Sequence, residues 1–331
     1  MSAGPLSELL AAQDCIVLDG GLATELERRG ADLGDALWSA RQLVDGPDLI
    51  REVHEAYFVA GADVAVSSSY QANFTGFAAR GIGFRNAVQL MALSVELAKE
   101  AREKFWSDSG RRARRAWPLV AASIGPYGAS LADGSEYRGN YGISRQQLAD
   151  FHGPRLAALM SARPDLMAIE TIPSVDEAVL VLELLAAWPE MGAWVSFTCR
   201  DSAHLSDGGA VAEAIAAVAG HPLVAAVGFN CVAPSLAEEL LEAAARVTGK
   251  PLVIYPNSGE RWDAARRQWV PGEAPFDFGA GARRWFERGA RLIGGCCRTG
   301  PETIRTIRTA LGLHPRTPEP EPENLGGKSS G

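Results

Sequence analysis

Long apolar runs are missing from this 331-residue sequence: no stretch of about eighteen, the length a bilayer asks of a helix, occurs, so no membrane span is expected. Positive charge is in the minority, 32 Lys and Arg against 40 Asp and Glu, and the formal net charge of −8 argues against a nucleic-acid surface. The one basic cluster, Arg111, Arg112, Arg114 and Arg115, is short, has no glycine-rich or aromatic frame and reads as a solvated loop. A basic start, apolar core and small-residue cleavage site are lacking at the amino terminus, so a cytoplasmic location is expected. No GxGxxG fingerprint follows an early strand, which counts against a dinucleotide-binding doubly wound sheet. Histidine is scarce. His54, His152, His204 and His221 show no metal-ligand spacing, read as surface or helix-face residues, and form no Ser/His/Asp triad. Cysteine is scarce too, and an odd count of five fits poorly with a complete disulfide framework. In a reducing compartment such thiols are free, metal-bound or catalytic.

What is present is alternation. An apolar fraction of 47% supplies a large core, and strand patterns at residues 15–19, 63–68, 119–124, 166–169, 193–198, 223–229, 252–255 and 291–293 are separated by helical ones. Residues 1–14 and 47–60 read as helices. So do residues 85–105, where Val88, Met91, Ala92, Val95 and Ala98 recur at helical spacing. Ser174 and Glu177 have the spacing of a capping box. Eight strands, each followed by a helix, predict an α/β fold of the (β/α)8 TIM barrel type, one domain over residues 1–313. Proline, glutamate and glycine predominate after that, so residues 314–331 read as a disordered C-terminal tail. Polar residues collect after strands one, two, three, four, six, seven and eight, on the side where barrel enzymes carry their sites. A loop of roughly twenty residues after strand seven is long enough to be functional or disordered.

The sharpest local signal is Gly294-Gly295-Cys296-Cys297, where a strand gives way to a loop. Adjacent strand residues point to opposite faces, so both sulfurs serve one centre only if the backbone turns, which the glycines allow. Cys231 lies at another strand end, two strands away in a barrel. Three thiolates would leave one position open on Zn2+, the mark of a catalytic zinc, and a thiol substrate bound there would lose its proton. Such an electron-rich centre suits alkyl transfer to sulfur. Other readings stand beside it: two inert buried thiols, a vicinal disulfide, or a structural zinc completed by Cys199. Cys15 reads as core. Asp19 and Glu170, each after an apolar strand, could hold the ammonium of an amino-acid substrate, or serve as a cap and a rim ion pair.

Asp19-Gly20-Gly21-Leu22-Ala23-Thr24-Glu25-Leu26, Ser69-Tyr70-Gln71-Ala72, Gly228-Phe229-Asn230-Cys231 and Gly294-Gly295-Cys296-Cys297 together resemble the homocysteine S-methyltransferase family, from about residue 14 to 312. Gly125-Pro126-Tyr127-Gly128-Ala129, Asp133-Gly134-Ser135-Glu136-Tyr137 and Tyr255-Pro256-Asn257-Ser258-Gly259-Glu260 look like the branch that uses S-methylmethionine rather than betaine. The resemblance implies a zinc barrel in which Cys231, Cys296 and Cys297 hold the metal and homocysteine sulfur takes the open position. It further implies that Asp19 and Glu170 contact the homocysteine amino group, the backbone at Gly20 and Gly21 its carboxylate, and that Gln71 and Asn230 adjoin the substrates. No cobalamin domain is implied.

The expected reaction is methyl transfer from S-methylmethionine or another small sulfonium to L-homocysteine, giving methionine. S-adenosylmethionine or betaine is the alternative donor, and a non-catalytic zinc- or thiol-binding barrel the alternative of another class. A hydrolase or aldolase using Asp19 and Glu170 lacks a suitable lysine or histidine. For the donor, Tyr127, Tyr137, Tyr141, Glu136, Glu260, Trp262 and Asp263 offer aromatic faces and carboxylates to a cation. No sign of an adenosyl pocket is found. The expected partners are these two small molecules, with no obligate protein partner.

Overall fold

Inward and outward side chains alternate along the strands of the computed structural model, which describes residues 4–33, 37–263, 268–270 and 275–313, with backbone alone for Trp38, 261–263, 268 and 269. The strands are β1 Ile16–Val17, β2 Val64–Val66, β3 Leu119–Ile124, β4 Leu166–Ile172, β5 Ala193–Phe197, β6 Val224–Asn230, β7 Leu252–Tyr255, β8 Arg261–Asp263, β9 Gln268–Val270 and β10 Ala290–Ile293. Eight of them run parallel in the order β1-β10-β7-β6-β5-β4-β3-β2. A bridge between Leu18 and Val64 brings the two ends together and closes the TIM barrel. The expected α/β architecture is the observed one.

Ile16, Leu18, Val64, Leu119, Ala121, Leu166, Ala168, Trp194, Ala226, Val253 and Leu292 fill the barrel interior. Their neighbours Val17, Ala65, Val120, Met167, Val195, Val227, Ile254 and Ile293 face the helices. This is the period-2 pattern of a strand buried on both faces. The helix Pro5–Ala12 buries Leu6 and Leu9 in the same interior cluster as Leu119 and Leu166, the first residues of β3 and β4, and so covers the amino-terminal end. Towards the carboxyl end the interior turns polar, with Ser123, Glu170, Ser196 and Asn230 all buried. Helices Pro47–Ala60 and Phe84–Ser107 lie where the sequence predicts them, and a further helix spans Arg145–Ser161.

Several expectations change. The loop after β7 carries an antiparallel hairpin, β8 on β9. Ser174 makes no side-chain cap; Glu177 is fully buried and instead receives the backbone N–H of Tyr127 at 2.6 Å, the Tyr141 hydroxyl at 3.0 Å and a His152 contact at 2.9 Å. A carboxylate taken that far from water needs several partners, more than the capping box offers. His54 and His152 are 0% exposed and belong to the interior. The predicted tail, 314–331, lies outside the described residues. Among the described residues no helix is long and apolar enough to cross a membrane.

Arg115 departs from the solvated-loop reading of its cluster. It reaches Asp63, which is 1% exposed and also accepts from Arg308 Nη1 at 2.9 Å, Gln13 Nε2 at 2.7 Å and the Val17 N–H at 2.9 Å. One carboxylate thus ties β1, the start of β2 and the last helix, Pro301–Leu311, together. Removing one partner of a buried ion pair leaves an uncompensated charge and costs about 3 to 5 kcal/mol. Asp63→Asn is expected to lower unfolding stability by that order, read as a fall in the urea midpoint at unchanged m-value.

Candidate active site

Each barrel strand hands its last residue to the carboxyl face, and there the backbone leaves regular geometry. Cys231 follows β6 at φ 53°, Thr171 interrupts β4 at φ 58°, and Arg298 follows the cysteine pair at φ 65°. A left-handed conformation in a β-branched residue such as Thr171 is rare and needs support from its surroundings. Asn230 gives that support. Its Oδ1 accepts the Thr171 N–H at 2.7 Å and its Nδ2 donates to Thr171 Oγ1 at 2.7 Å. The Ser196 hydroxyl steadies the same amide at 2.8 Å.

The turn at Cys231 brings its sulfur 2.7 Å from that of Cys296 and 3.6 Å from that of Cys297. All three lie within 4.8 Å of one another. Two sulfurs on a tetrahedral metal with bonds of about 2.3 Å stand roughly 3.8 Å apart, so the longer spacing matches shared ligation and the shorter is tighter than that. Cys231 is held well below the ordinary thiol pKa because Cys296 and Cys297 point at its sulfur. The same contact with Cys231 pushes Cys296 and Cys297 up. A soft thiolate set of this kind fits zinc and other thiophilic ions. Cys199 stands outside the cluster, bridging to Leu205. Cys15 is fully buried, and burial pushes its thiol up.

The loop after β7 holds the cysteine loop in place. Cys296 N–H donates to the Pro256 carbonyl at 2.8 Å, Cys297 N–H to Asn257 Oδ1 at 3.1 Å, and Ser258 N–H to the Cys297 carbonyl at 3.0 Å. Gly21 packs so closely that a Cβ there would lie 2.6 Å from the Cys296 carbonyl oxygen. That contact gives the Gly20-Gly21 pair a steric reason. Gly21 N–H already donates to the Thr299 carbonyl at 3.1 Å, so a grip on a substrate carboxylate there falls to neighbouring backbone.

Asp19, Gly20, Gly21, Gln71, Glu170, Asn230, Cys231, Cys296 and Cys297 all line one cavity of about 1020 Å³. Two of them are buried acids. Burial, with the nearby Glu170 charge, holds Asp19 well above the ordinary carboxylate range, even though it accepts the Val66 N–H at 2.8 Å. Glu170 is pushed up to about 7 by burial, against the pull of hydrogen bonds from the Ser123 hydroxyl and from Tyr255 Oη, the latter at 2.9 Å. Trp194 Nε1 donates to that same phenol at 3.0 Å. An ammonium arriving between two acids so destabilised is strongly attracted.

Of the seven donor-loop residues expected from the sequence, Glu136 and Tyr137 line the cavity. The Tyr137 hydroxyl comes within 3.7 Å of Cys231 Sγ. Tyr127 and Tyr141 pack on each other with ring centroids 5.3 Å apart, and Glu260 pairs with Arg298 at 2.9 Å. The side chains of Trp262 and Asp263 lie outside the described residues. Sequence reasoning missed Ser123, Ser196 and Tyr255 as the partners of Glu170 and Asn230; their inward register on β3, β5 and β7 was the available signal.

A TIM barrel that gathers three convergent thiols and two buried acids in one carboxyl-face cavity is an enzyme suited to chemistry on a thiol. The family model described as homocysteine S-methyltransferase matches residues 16–311, and the chain belongs to that family. It is 50% identical to homocysteine S-methyltransferase YbgG of Bacillus subtilis, over 92% of this chain and 96% of that one. It is 48% identical to homocysteine S-methyltransferase of Escherichia coli, over 92% and 97%. The metallated form of the homocysteine methyltransferase MmuM from Escherichia coli superimposes with a TM-score of 0.84 at 46% identity, over 92% of this chain and 99% of that one.

Replacing Cys231, Cys296 or Cys297 by Ala is expected to cost at least the roughly 10- to 100-fold in metal affinity that even outer-shell partners contribute. Cys15→Ala and Cys199→Ala should retain the metal. Elemental analysis of the purified variants checks this, and an emptied Cys199→Ala would mark a four-cysteine structural site.

Proposed function

We propose that the chain transfers a methyl group from S-methylmethionine to L-homocysteine on a zinc site formed by Cys231, Cys296 and Cys297. The observation that carries this reading is the convergence of three sulfurs on a cavity that also presents Asp19 and Glu170. When bound, zinc supplies the positive charge that lets a substrate thiol lose its proton at neutral pH. The ion is taken as zinc because an all-thiolate set with one open position suits it.

Asp19 and Glu170 grip the homocysteine ammonium through charge-assisted hydrogen bonds, and so orient its sulfur towards the cysteines. Backbone at Gly20, beside the already engaged Gly21 N–H, receives the carboxylate, and Asn230 keeps the Thr171 turn, next to Glu170, in shape. Tyr137, beside Cys231, closes the cavity on the donor side. The homocysteine sulfur forms a new bond to the methyl carbon as the donor S–CH3 bond breaks. The bonding pair returns to the sulfonium sulfur, so both products are methionine. The donor assignment rests on the loops after β3 and β7, which resemble the S-methylmethionine branch. One barrel, residues 1–313, carries the reaction in the cytoplasm, where thiols stay reduced. Its partners are the two small molecules.

Two measurements test this. With homocysteine fixed, S-methylmethionine should turn over faster than S-adenosylmethionine or betaine; the reverse order overturns the donor assignment. Asp19→Asn and Glu170→Gln should each raise the homocysteine KM roughly tenfold to a hundredfold, the equivalent of the 1.5 to 3 kcal/mol typical of a hydrogen bond to a charged group. Metal content should stay at the wild-type level. An unchanged KM in both variants would return the two acids to a structural role.

A further inference from the structure

Two buried hydrogen-bond acceptors on residues that line the cavity have no partner among the described residues. One is Oε2 of Glu136; the other is Oε1 of Gln71, a residue only 7% exposed. The orientation of the Gln71 amide is fixed, because its Nε2 donates to the Ala129 carbonyl at 3.1 Å and only the NH2 group can do so. Its oxygen is therefore the atom left over. Both residues belong to one patch: Ala129 follows Gly128, and a Cβ on Gly128 would come within 2.6 Å of the Glu136 nitrogen.

Nearby cations are engaged elsewhere. Arg138 bonds Ser135 Oγ at 2.8 Å and pairs with Asp133 at 3.5 Å. Arg298, also on the cavity wall, pairs with Glu260 and with Glu27. The patch is also close to the cysteine cluster, since Tyr137, the neighbour of Glu136, reaches Cys231 Sγ. A buried acceptor left unsatisfied costs free energy, so the patch calls for a ligand group that brings N–H donors. A sulfonium has charge but no N–H, and a quaternary ammonium has none either. A primary ammonium has both charge and three donors.

We propose that Glu136 and Gln71 bind the α-ammonium of the methyl donor, so that the enzyme selects amino-acid sulfoniums over donors that lack N–H groups. The assignment rests on the methyl-transfer reading above, in which Asp19 and Glu170 hold the other ammonium, that of homocysteine. Each amino acid would thus have its own acidic residues on the cavity wall.

The test uses zinc-loaded full-length enzyme and two donors: S-methylmethionine and its desamino analogue, 4-(dimethylsulfonio)butanoate. Glu136→Gln is expected to raise the KM for S-methylmethionine roughly tenfold to a hundredfold, and Gln71→Ala by a smaller factor. The homocysteine KM and the zinc content should not move. With the desamino analogue, wild type and Glu136→Gln should show the same kcat/KM, so the variant loses the preference for the amino-bearing donor. A raised homocysteine KM would assign the patch to the acceptor and overturn the proposal. An equal loss with both donors, or an unchanged KM for S-methylmethionine in both variants, would overturn it as well. Zinc-loaded wild type that transfers no methyl from S-methylmethionine defeats the methyl-transfer reading itself, an outcome separate from active wild type with unaltered variants.

Discussion

Everything on the carboxyl face depends on keeping the sulfurs of Cys231, Cys296 and Cys297 together, and the backbone does this before any side chain does. Cys231 turns in at φ 53°, a conformation that costs a non-glycine residue roughly 1 to 2 kcal/mol. Its N–H donates to the Tyr255 carbonyl at 3.3 Å, so β7 helps to hold that turn. The cysteine pair is held by hydrogen bonds to Pro256, Asn257 and Ser258, with the bare Cα of Gly21 against its other side. Parallel strands fix where each chain segment ends, so the sulfurs from the end of β6 and from the loop after β10 meet across β7.

The acids follow a different logic. Asp19 and Glu170 are buried with hydroxyl and amide donors but no cation, which is why both are pushed towards the neutral form. Such an arrangement is costly in the free protein, and a bound ammonium, as proposed, would relieve it. The fixed donors Ser123, Tyr255 and Val66 keep the carboxylate oxygens aimed while the site waits. Orientation is therefore settled in the free protein, which would leave little ordering entropy to be lost on the proposed binding.

Much of this was legible in the chain. Alternation and strand-end polar residues pointed to the barrel, and the places of Cys231, Cys296 and Cys297 at the ends of strands two apart pointed to the cluster, because both follow from reading the strands by local periodicity. Pairings between distant residues were not legible. Glu177 has the spacing of a capping box with Ser174, yet it serves Tyr127, Tyr141 and His152; nothing local marks that choice. Arg115 reads as one of four solvated arginines, and only the closed barrel brings it to Asp63. Likewise the aromatic character of the loop after β3 was evident, but which tyrosine faces the cavity depends on how that loop is anchored.

That anchoring bears on specificity. Arg155, 1% exposed on the helix Arg145–Ser161, donates to the carbonyls of Tyr70 at 2.9 Å, Ala72 at 2.8 Å and Gly125 at 3.0 Å. From the next helix, Val175–Leu185, Glu177 takes the Tyr127 N–H and the Tyr141 hydroxyl. The loop after β2, which carries Gln71, and the loop after β3, which carries Glu136, are thus both fastened to the helix Arg145–Ser161, and the second also to Val175–Leu185. Surface loops ordinarily move more than the elements they connect. Here buried charge-assisted hydrogen bonds join two of them into one wall of the cavity. A wall built that way holds Gln71 and Glu136 in a set relation to the three sulfurs, so the proposed donor site would depend on the helical layer as much as on the loops that form it.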